Sequence, residues 1–207
     1  MPDRLSEEVA HTIRRLYGRG LVSGVGGNAS VRLDDGAHIL VTPSGYFKGG
    51  IASGDLVKVA LDGNVVEGAG PSSELPTHLE AYRRRSDVMA VVHGHPPTAV
   101  GLITAGLDIS PLTPEHAVMV RQLKVVDFAT PGARGAAAVA PYLDGCDVVG
   151  IRNHGFFAFA RTLHDAASKI EVLEESAKIY VAMAQVGDVR TLEPSTVAEI
   201  RRTYGRE

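Results

Sequence analysis

Two histidines, His93 and His95, stand two residues apart in the apolar run VVHGHPP, in a chain that has only eight histidines. In an extended strand the side chains at i and i+2 share a face, so the two rings converge, and Gly94 between them leaves room behind. Neutral imidazole nitrogens are zinc ligands, and a catalytic zinc typically takes three protein ligands and keeps an exchangeable position. His154 is the best remaining third nitrogen, because the apolar strand Val148–Ile151 ends there in Asn153-His154-Gly155 and loops at strand ends commonly build sites. Glu74, in a loop entering a helix, would be a fourth ligand or a base. A lone buried histidine more often satisfies local hydrogen bonds, but a pair beside prolines with a further His-Gly favours a metal. His78, four residues after Glu74 on the same helical face, competes as a ligand. Since the strand pair already supplies two nitrogens, His78 is read as helix packing, and His11, His38, His116 and His164 as structural.

Three loops of small residues could hold an anion. SGVGGNASVR contains Gly24-x-Gly26-x-x-Ala29, which formally matches a dinucleotide fingerprint. That motif must follow a strand and open a helix, whereas here it follows a helix and opens a hairpin, so the match is rejected. A glycine-rich turn still offers backbone N–H groups, and Asn28 adds a side-chain donor. TPSGY (Thr42–Tyr46) and PSSE (Pro71–Glu74) add hydroxyls, with Ser72 and Ser73 where a helix N-terminus favours phosphate. Each loop alone reads as a turn; together they make a stronger case.

These residues need elements to position them. Ser6 can cap a first helix in which Val9, Ile13, Leu16 and Tyr17 recur at helical spacing until Gly18 and Gly20. Asp35-Gly36 and Asp62-Gly63 each sit between alternating runs, predicting two successive hairpins and hence antiparallel pairing. PSSELPTHLEAYRRR reads as a loop entering a short helix with Leu79 and Tyr82 on its apolar side. DVMAVVHGHPP is a buried strand stopped by two prolines. TAVGLITAG begins another short helix, KVVDFATPG and DVVGIRNHGFFAFA are strand-like, and the longest helix comes last. It starts at Thr162 with Asp165 three residues on, and carries Ile170, Leu173, Ala177, Tyr180 and Ala184 as one stripe before Gly187. The expectation is a single domain over residues 1–207, with a mixed sheet covered by helices.

Bulk properties narrow the function. Apolar residues make up 44% and charged residues 22%, with a net charge of -3, so neither nucleic acid nor an anionic membrane is expected as a partner. The single cysteine, Cys146, excludes an internal disulfide and a cysteine-based zinc site. The N-terminal MPDRLSEEVAHTIRRL lacks an apolar h-region, and no run approaches a membrane span of ~18 apolar residues, so a cytoplasmic address is expected.

As an ordered set, GGNASVR, TPSGY, PSSE, HGHPP and NHG resemble the class II aldolase and adducin-head family over nearly the whole chain. The resemblance implies an α/β fold: a three-layer α/β/α subunit with a mixed, largely antiparallel central sheet. It also implies zinc as the usual metal, with Mn2+ or Co2+ as other divalent choices, and a homotetramer with sites at subunit boundaries. Carried over, His93, His95 and His154 match the metal ligands, and Glu74 matches the catalytic acid/base. Gly27, Asn28, Ser44, Gly45, Ser72 and Ser73 match positions that hold a substrate phosphate. RTYGRE resembles a tail whose tyrosine, here Tyr204, closes over a neighbouring subunit's site. Two departures stand out: SPLTPEHAV lacks the tyrosine that aldolases of the family use as proton donor, and Pro131 replaces a phenylalanine of the pocket wall. Epimerases of the family carry aspartate near the Ser-Ser loop, so Glu74 points to the aldolase branch. The implied activity is reversible cleavage of a ketose 1-phosphate to dihydroxyacetone phosphate and an aldehyde. The alternatives are a decarboxylase or dehydratase of a related sugar-acid or thio-sugar phosphate, and a non-catalytic interaction module, which would have degraded metal positions.

Overall fold

The computed structural model describes residues 4–205. Helix α1 (Arg4–Gly18) buries Val9, Ile13 and Leu16, as their spacing predicts. Ser6 is not its cap: the helix is already formed at Arg4, and Ser6 lies buried within it.

Both expected hairpins form. Strands β1 (Asn28–Arg32) and β2 (His38–Val41) turn at Asp35-Gly36, and β3 (Val57–Ala60) and β4 (Val65–Glu67) at Asp62-Gly63. Asp35 Oδ1 accepts the N–H groups of Ala37 and His38, and Asp62 Oδ1 accepts that of Asn64, so each aspartate closes its own turn. Helix α2 (Leu75–Arg84), strand β5 (Ala90–Gly94), helices α3 (Pro97–Thr104) and α4 (Pro114–Met119), strand β6 (Leu123–Val126) and helix α5 (Ala133–Val139) follow. Strands β7 (Val148–Ile151) and β8 (Gly155–Ala160) and helices α6 (Leu163–Val186) and α7 (Pro194–Tyr204) complete the chain.

The eight strands form one sheet in the order β4-β3-β2-β1-β5-β8-β7-β6. Its pairs are antiparallel except β6 with β7. Alternation along the strands divides the core in two. On one face Val92, Phe156 and Ala158 meet Ile13 and Leu16 of α1 and Ile170 and Leu173 of α6. On the other, Val91, Phe157 and Phe159 meet Leu79 and Tyr82 of α2 and Val139 of α5. Strands β5 and β8 are buried on both faces, which is why they read as unbroken apolar runs. The result is the expected three-layer α/β/α architecture with a mixed, largely antiparallel sheet.

The helix inventory is richer than expected. The short helices α4 and α5 carry too few turns for a readable period, and α7 follows the helix that was expected to end the chain. Thr162 does cap α6, its hydroxyl accepting the Asp165 N–H at 3.0 Å. The apolar stripe of α6 ends early, however: Ala177 is buried, Tyr180 half-buried and Ala184 exposed. At 24 residues α6 is ~36 Å long and outruns the sheet it covers. Among the described residues no helix is long and apolar enough to cross a membrane.

Where α4 meets α6, buried His116 holds Ser176 Oγ at 2.9 Å through Nδ1. Burial, aided by the charge of Arg201, pushes its pKa from 6.5 down to about 4. The unfolded chain therefore takes up this proton first, so stability is full above 6.5 and is lost as pH falls toward 4. Urea unfolding between pH 7.5 and 5 should show stability falling with acidity, and His116→Gln should reduce that slope. An unchanged slope would remove His116 from the account.

Candidate active site

The site grows from one line of register. Asn28 on β1 pairs with His93 on β5, and His93 pairs with Phe157 on β8, so three neighbouring side chains share the face beneath α2. His93 is fully buried and stacks on Phe157 with ring centroids 4.1 Å apart. Its Nδ1–H donates to the Phe156 carbonyl at 3.1 Å, which aims Nε2 inward. His95, one residue past the end of β5, is held by its backbone N–H on the Leu21 carbonyl at 2.7 Å. His154 lies in the β7–β8 turn beside Asn153, a non-glycine residue with φ 57°.

One ligand atom from each of His93, His95 and His154 lies within 4.8 Å of the others, as the sequence spacing led us to expect. Two glycines make this convergence sterically allowed. A Cβ on Gly155 would lie 2.5 Å from His95 Cδ2 and 2.9 Å from His93 Cε1, and one on Gly26 would lie 2.9 Å from His95 Cε1.

Glu74 immediately precedes α2 and points its carboxylate into the cluster. Oε2 is 2.9 Å from His93 Nε2 and Oε1 is 3.3 Å from His154 Nε2, while His95 Nε2 is 2.8 Å from His93 Nε2. Burial raises the Glu74 pKa, but His93, the Asn28 amide and His154 outweigh it and hold the group at about 2, a carboxylate. Burial, then the charges of His93 and His154, push His95 to about 3, and burial also lowers His154. Imidazole nitrogens and a carboxylate thus face one another across about 3 Å. Positive charge placed among them stabilises such a group. Three imidazoles and one carboxylate suit a divalent cation as the source of that charge, and His93, His95 and His154 with Glu74 would hold it.

A cavity of about 150 Å³ opens beside the cluster. Glu74, His95 and His154 form its metal side, while Gly27, Asn28, Ser44, Ser72 and Ser73 bring together all three small-residue loops. Gly27 has φ 81°, and a Cβ there would lie 2.4 Å from Val22 Cγ1, so glycine is required. Gly45 shapes the loop with φ 72° without lining the cavity. Pro131 does line it. Tyr204, at the end of α7, is 69% exposed and lies outside the lining, which contains no tyrosine. A larger cavity of about 770 Å³ lies between α4, β6 and α7, and its lining contains none of the candidate ligands.

One residue, Lys48, escaped the sequence reading, and another, His78, was read as packing alone. Lys48 is buried at the cavity wall, its Nζ donating to the Pro43 carbonyl at 2.9 Å. Burial pushes its pKa down, with no carboxylate opposing the shift. Its one sequence signal was a cation four residues beyond Ser44 in the otherwise small and aromatic SGYFKGG. His78 corrects the packing reading: its Nε2 reaches Asn28 Oδ1 at 2.6 Å and its Nδ1 reaches Ser30 Oγ at 2.6 Å. Both ring nitrogens are engaged in hydrogen bonds beneath α2, although the ring also meets Phe157 edge-on.

Comparison with known proteins points to the same chemistry. The family model of the class II aldolase and adducin N-terminal domain matches residues 7–181. An L-fuculose phosphate aldolase of Methanocaldococcus jannaschii is 39% identical over 166 residues, covering 80% of this chain and 90% of its own. A 3-oxo-tetronate 4-phosphate decarboxylase of Escherichia coli K12 is 34% identical over 205 residues, covering 95% of each chain. A solved structure of L-fuculose 1-phosphate aldolase superposes with a TM-score of 0.90 at 30% identity, covering 99% of this chain and 97% of the other.

The close approach at Gly155 gives a direct test of the cluster. Gly155→Ala places a methyl group against both His93 and His95. Divalent-metal affinity, measured by elemental analysis after dialysis against graded chelator, should drop by roughly 10-fold or more with the far-UV spectrum retained. Unaltered affinity would show that these rings do not hold the metal.

Proposed function

The chain belongs to the class II aldolase and adducin N-terminal domain family, and on that premise we propose that it is a zinc-dependent lyase. The reaction is the reversible cleavage of a ketose 1-phosphate, fuculose 1-phosphate-like, to dihydroxyacetone phosphate and an aldehyde. The observation that carries this reading is the place of Glu74: its carboxylate is shared between the imidazole cluster and the wall of the anion pocket.

In the cleavage direction the C3–C4 bond breaks, its electron pair remains on C3 as an enediolate, and the C4 hydroxyl loses its proton as the aldehyde forms. A divalent cation held by His93, His95 and His154 would supply positive charge against that developing enediolate. The protein's own groups do the rest. Ser44, Ser72, Ser73, Asn28 and the Gly27 backbone surround the phosphate, and Lys48 supplies the one buried cation of the wall. Anchoring the phosphate places C3 against Glu74, which delivers a proton there on cleavage and removes it on condensation. Tyr204, exposed on α7, is assigned to a neighbouring subunit's site in a homotetramer.

A second reading, decarboxylation, is favoured by one specific observation. No tyrosine lines the cavity. Retro-aldol cleavage needs a base for the C4 hydroxyl proton; a β-keto acid loses carbon dioxide with no such proton to remove. The similarity to a 3-oxo-tetronate 4-phosphate decarboxylase over nearly the full chain points the same way. Dehydration of a related sugar phosphate is the third outcome, and a chain that binds no metal and turns over nothing would be a scaffold.

Purified protein should be offered ketose phosphates and sugar-acid phosphates, with aldehyde, carbon dioxide and water-loss products read together. Aldehyde release supports aldol cleavage; carbon dioxide without aldehyde replaces it with the second reading. Glu74→Gln should abolish solvent-proton exchange at dihydroxyacetone phosphate while metal stays bound, and persisting exchange would refute its role. Lys48→Met should raise KM for the phosphorylated substrate by roughly 10-fold or more, the scale of a lost charge-assisted contact. If KM does not move, Lys48 is no phosphate ligand.

A further inference from the structure

We propose that His78 is a positioning residue that orients the carboxylate of Glu74 by fixing the amide of Asn28. The inference rests on the reading of Glu74 as the proton-moving group. It starts from a match of two spacings. Glu74, His78 and Tyr82 recur at i, i+4 and i+8, so they form one stripe with a repeat of ~6 Å along α2. Asn28, Ser30 and Arg32 recur at i, i+2 and i+4 on one face of β1, with a repeat of ~6.8 Å. The two stripes lie against each other nearly in phase, and their polar groups join alternately in a zigzag.

The chain of bonds runs from Glu74 inward. Asn28 Nδ2 donates to Glu74 Oε2 at 2.9 Å, and Asn28 Oδ1 meets His78 Nε2 at 2.6 Å. His78 Nδ1 meets Ser30 Oγ at 2.6 Å, and Ser30 Oγ meets Tyr82 Oη at 2.8 Å. Arg32 donates to the Tyr82 carbonyl and lies over its ring. Asn28, Ser30, Glu74, His78 and Tyr82 are all buried.

Chemistry sets the direction of every bond. An ionised carboxylate only accepts, so the Asn28 NH2 must face Glu74 and its carbonyl oxygen must face His78. His78 Nε2 therefore carries a hydrogen and donates. In the neutral ring Nδ1 is then an acceptor, so the Ser30 hydroxyl donates to it and in turn accepts from Tyr82. Reversing the His78 tautomer would put two acceptors face to face at Asn28, or turn the Asn28 oxygen toward the Glu74 carboxylate. His78 thus allows only one orientation of the amide, and the amide holds Oε2 of Glu74 while Oε1 faces His154 Nε2 at 3.3 Å on the cavity side. Without His78 the amide keeps its bond to Glu74 but loses the second bond, at Oδ1, that fixes its position.

Two measurements test this, the first without any activity. In ¹⁵N-labelled protein the His78 ring should be the Nε2–H tautomer at neutral pH; an Nδ1–H ring would overturn the assignment. The second is a variant series. Gln places a side-chain NH2 close to the position of Nε2, whereas Leu removes both nitrogens. His78→Leu should lower kcat by roughly 10- to 100-fold, with KM and bound metal changed less than about threefold. His78→Gln should recover most of kcat. A His78→Leu protein with full kcat, or a folded Gln variant no better than Leu, would sink the proposal. If His78→Leu does not fold, Ser30→Ala takes its place: it removes the donor to Nδ1 and should lower kcat less than tenfold and more than twofold, and full kcat there counts against the proposal. A wild-type protein that neither exchanges protons nor cleaves any substrate would defeat the functional reading of Glu74, while the tautomer would still decide the geometry.

Discussion

The register Asn28–His93–Phe157 across three antiparallel strands is the constraint from which the site follows. A strand slipped by one residue sends every side chain to the opposite face. For β5 that slip would turn His93 toward α1 and α6 and bring Val92 under α2. Burial prevents it on both sides at once, because Val91 and Val92 are each fully packed in a different core. The hydrophobic layers, which contain no chemistry, are thus what hold the nitrogen of His93 and the amide of Asn28 side by side. His95 and His154 depend on the same register, since His95 follows β5 itself and His154 precedes β8, which pairs with β5.

Electrostatics gives the cluster its other requirement. Burial disfavours charge on His95 and His154, while the carboxylate of Glu74 keeps its charge because donors and imidazoles surround it. A buried negative group facing ring lone pairs is costly by itself. Asn28 satisfies one oxygen, and a cation held by the same atoms would neutralise the rest. Across the cavity Lys48 is the opposite case, a buried positive charge held by a carbonyl and without a carboxylate. One small cavity therefore has a side that calls for a cation and a side that calls for an anion. A substrate with an oxygen-rich carbon end and a phosphate end complements both.

What was legible in the sequence was whatever repeats locally. The His-x-His pair needs only the two-residue period of a strand, the hairpins need only Asp-Gly between alternating runs, and α1 needs only its 3.6-residue period. His154 was found through the end of an apolar run, and the loops through their small residues. His78 and Lys48 were not legible because their roles belong to distances that the chain order does not contain. His78 is 50 residues from the Asn28 it holds, and its helical spacing was compatible with simple packing. Lys48 looks like a surface cation until the loop folds it beneath Pro43. The short helices α4 and α5 were missed for a different reason, since six or seven residues do not establish a period.

The departure at residues 110–118 takes on a sharper meaning in three dimensions. That segment enters α4, and its His116 turns away to Ser176 on α6, so it supplies no acid to the cavity. Among the described residues of one protomer Glu74 is then the only carboxylate on the cavity wall. A reaction that needs one proton moved at carbon can run on that group alone. A reaction that must also remove a hydroxyl proton needs a second group, and the exposed Tyr204 offers one only if a neighbouring copy brings it to the cavity. On the proposed reading, the choice between losing an aldehyde and losing carbon dioxide is bound to assembly. On that reading a cation held by the histidine cluster would be the electron sink common to both, and the identity of the leaving group would rest with whatever completes the open side of the pocket.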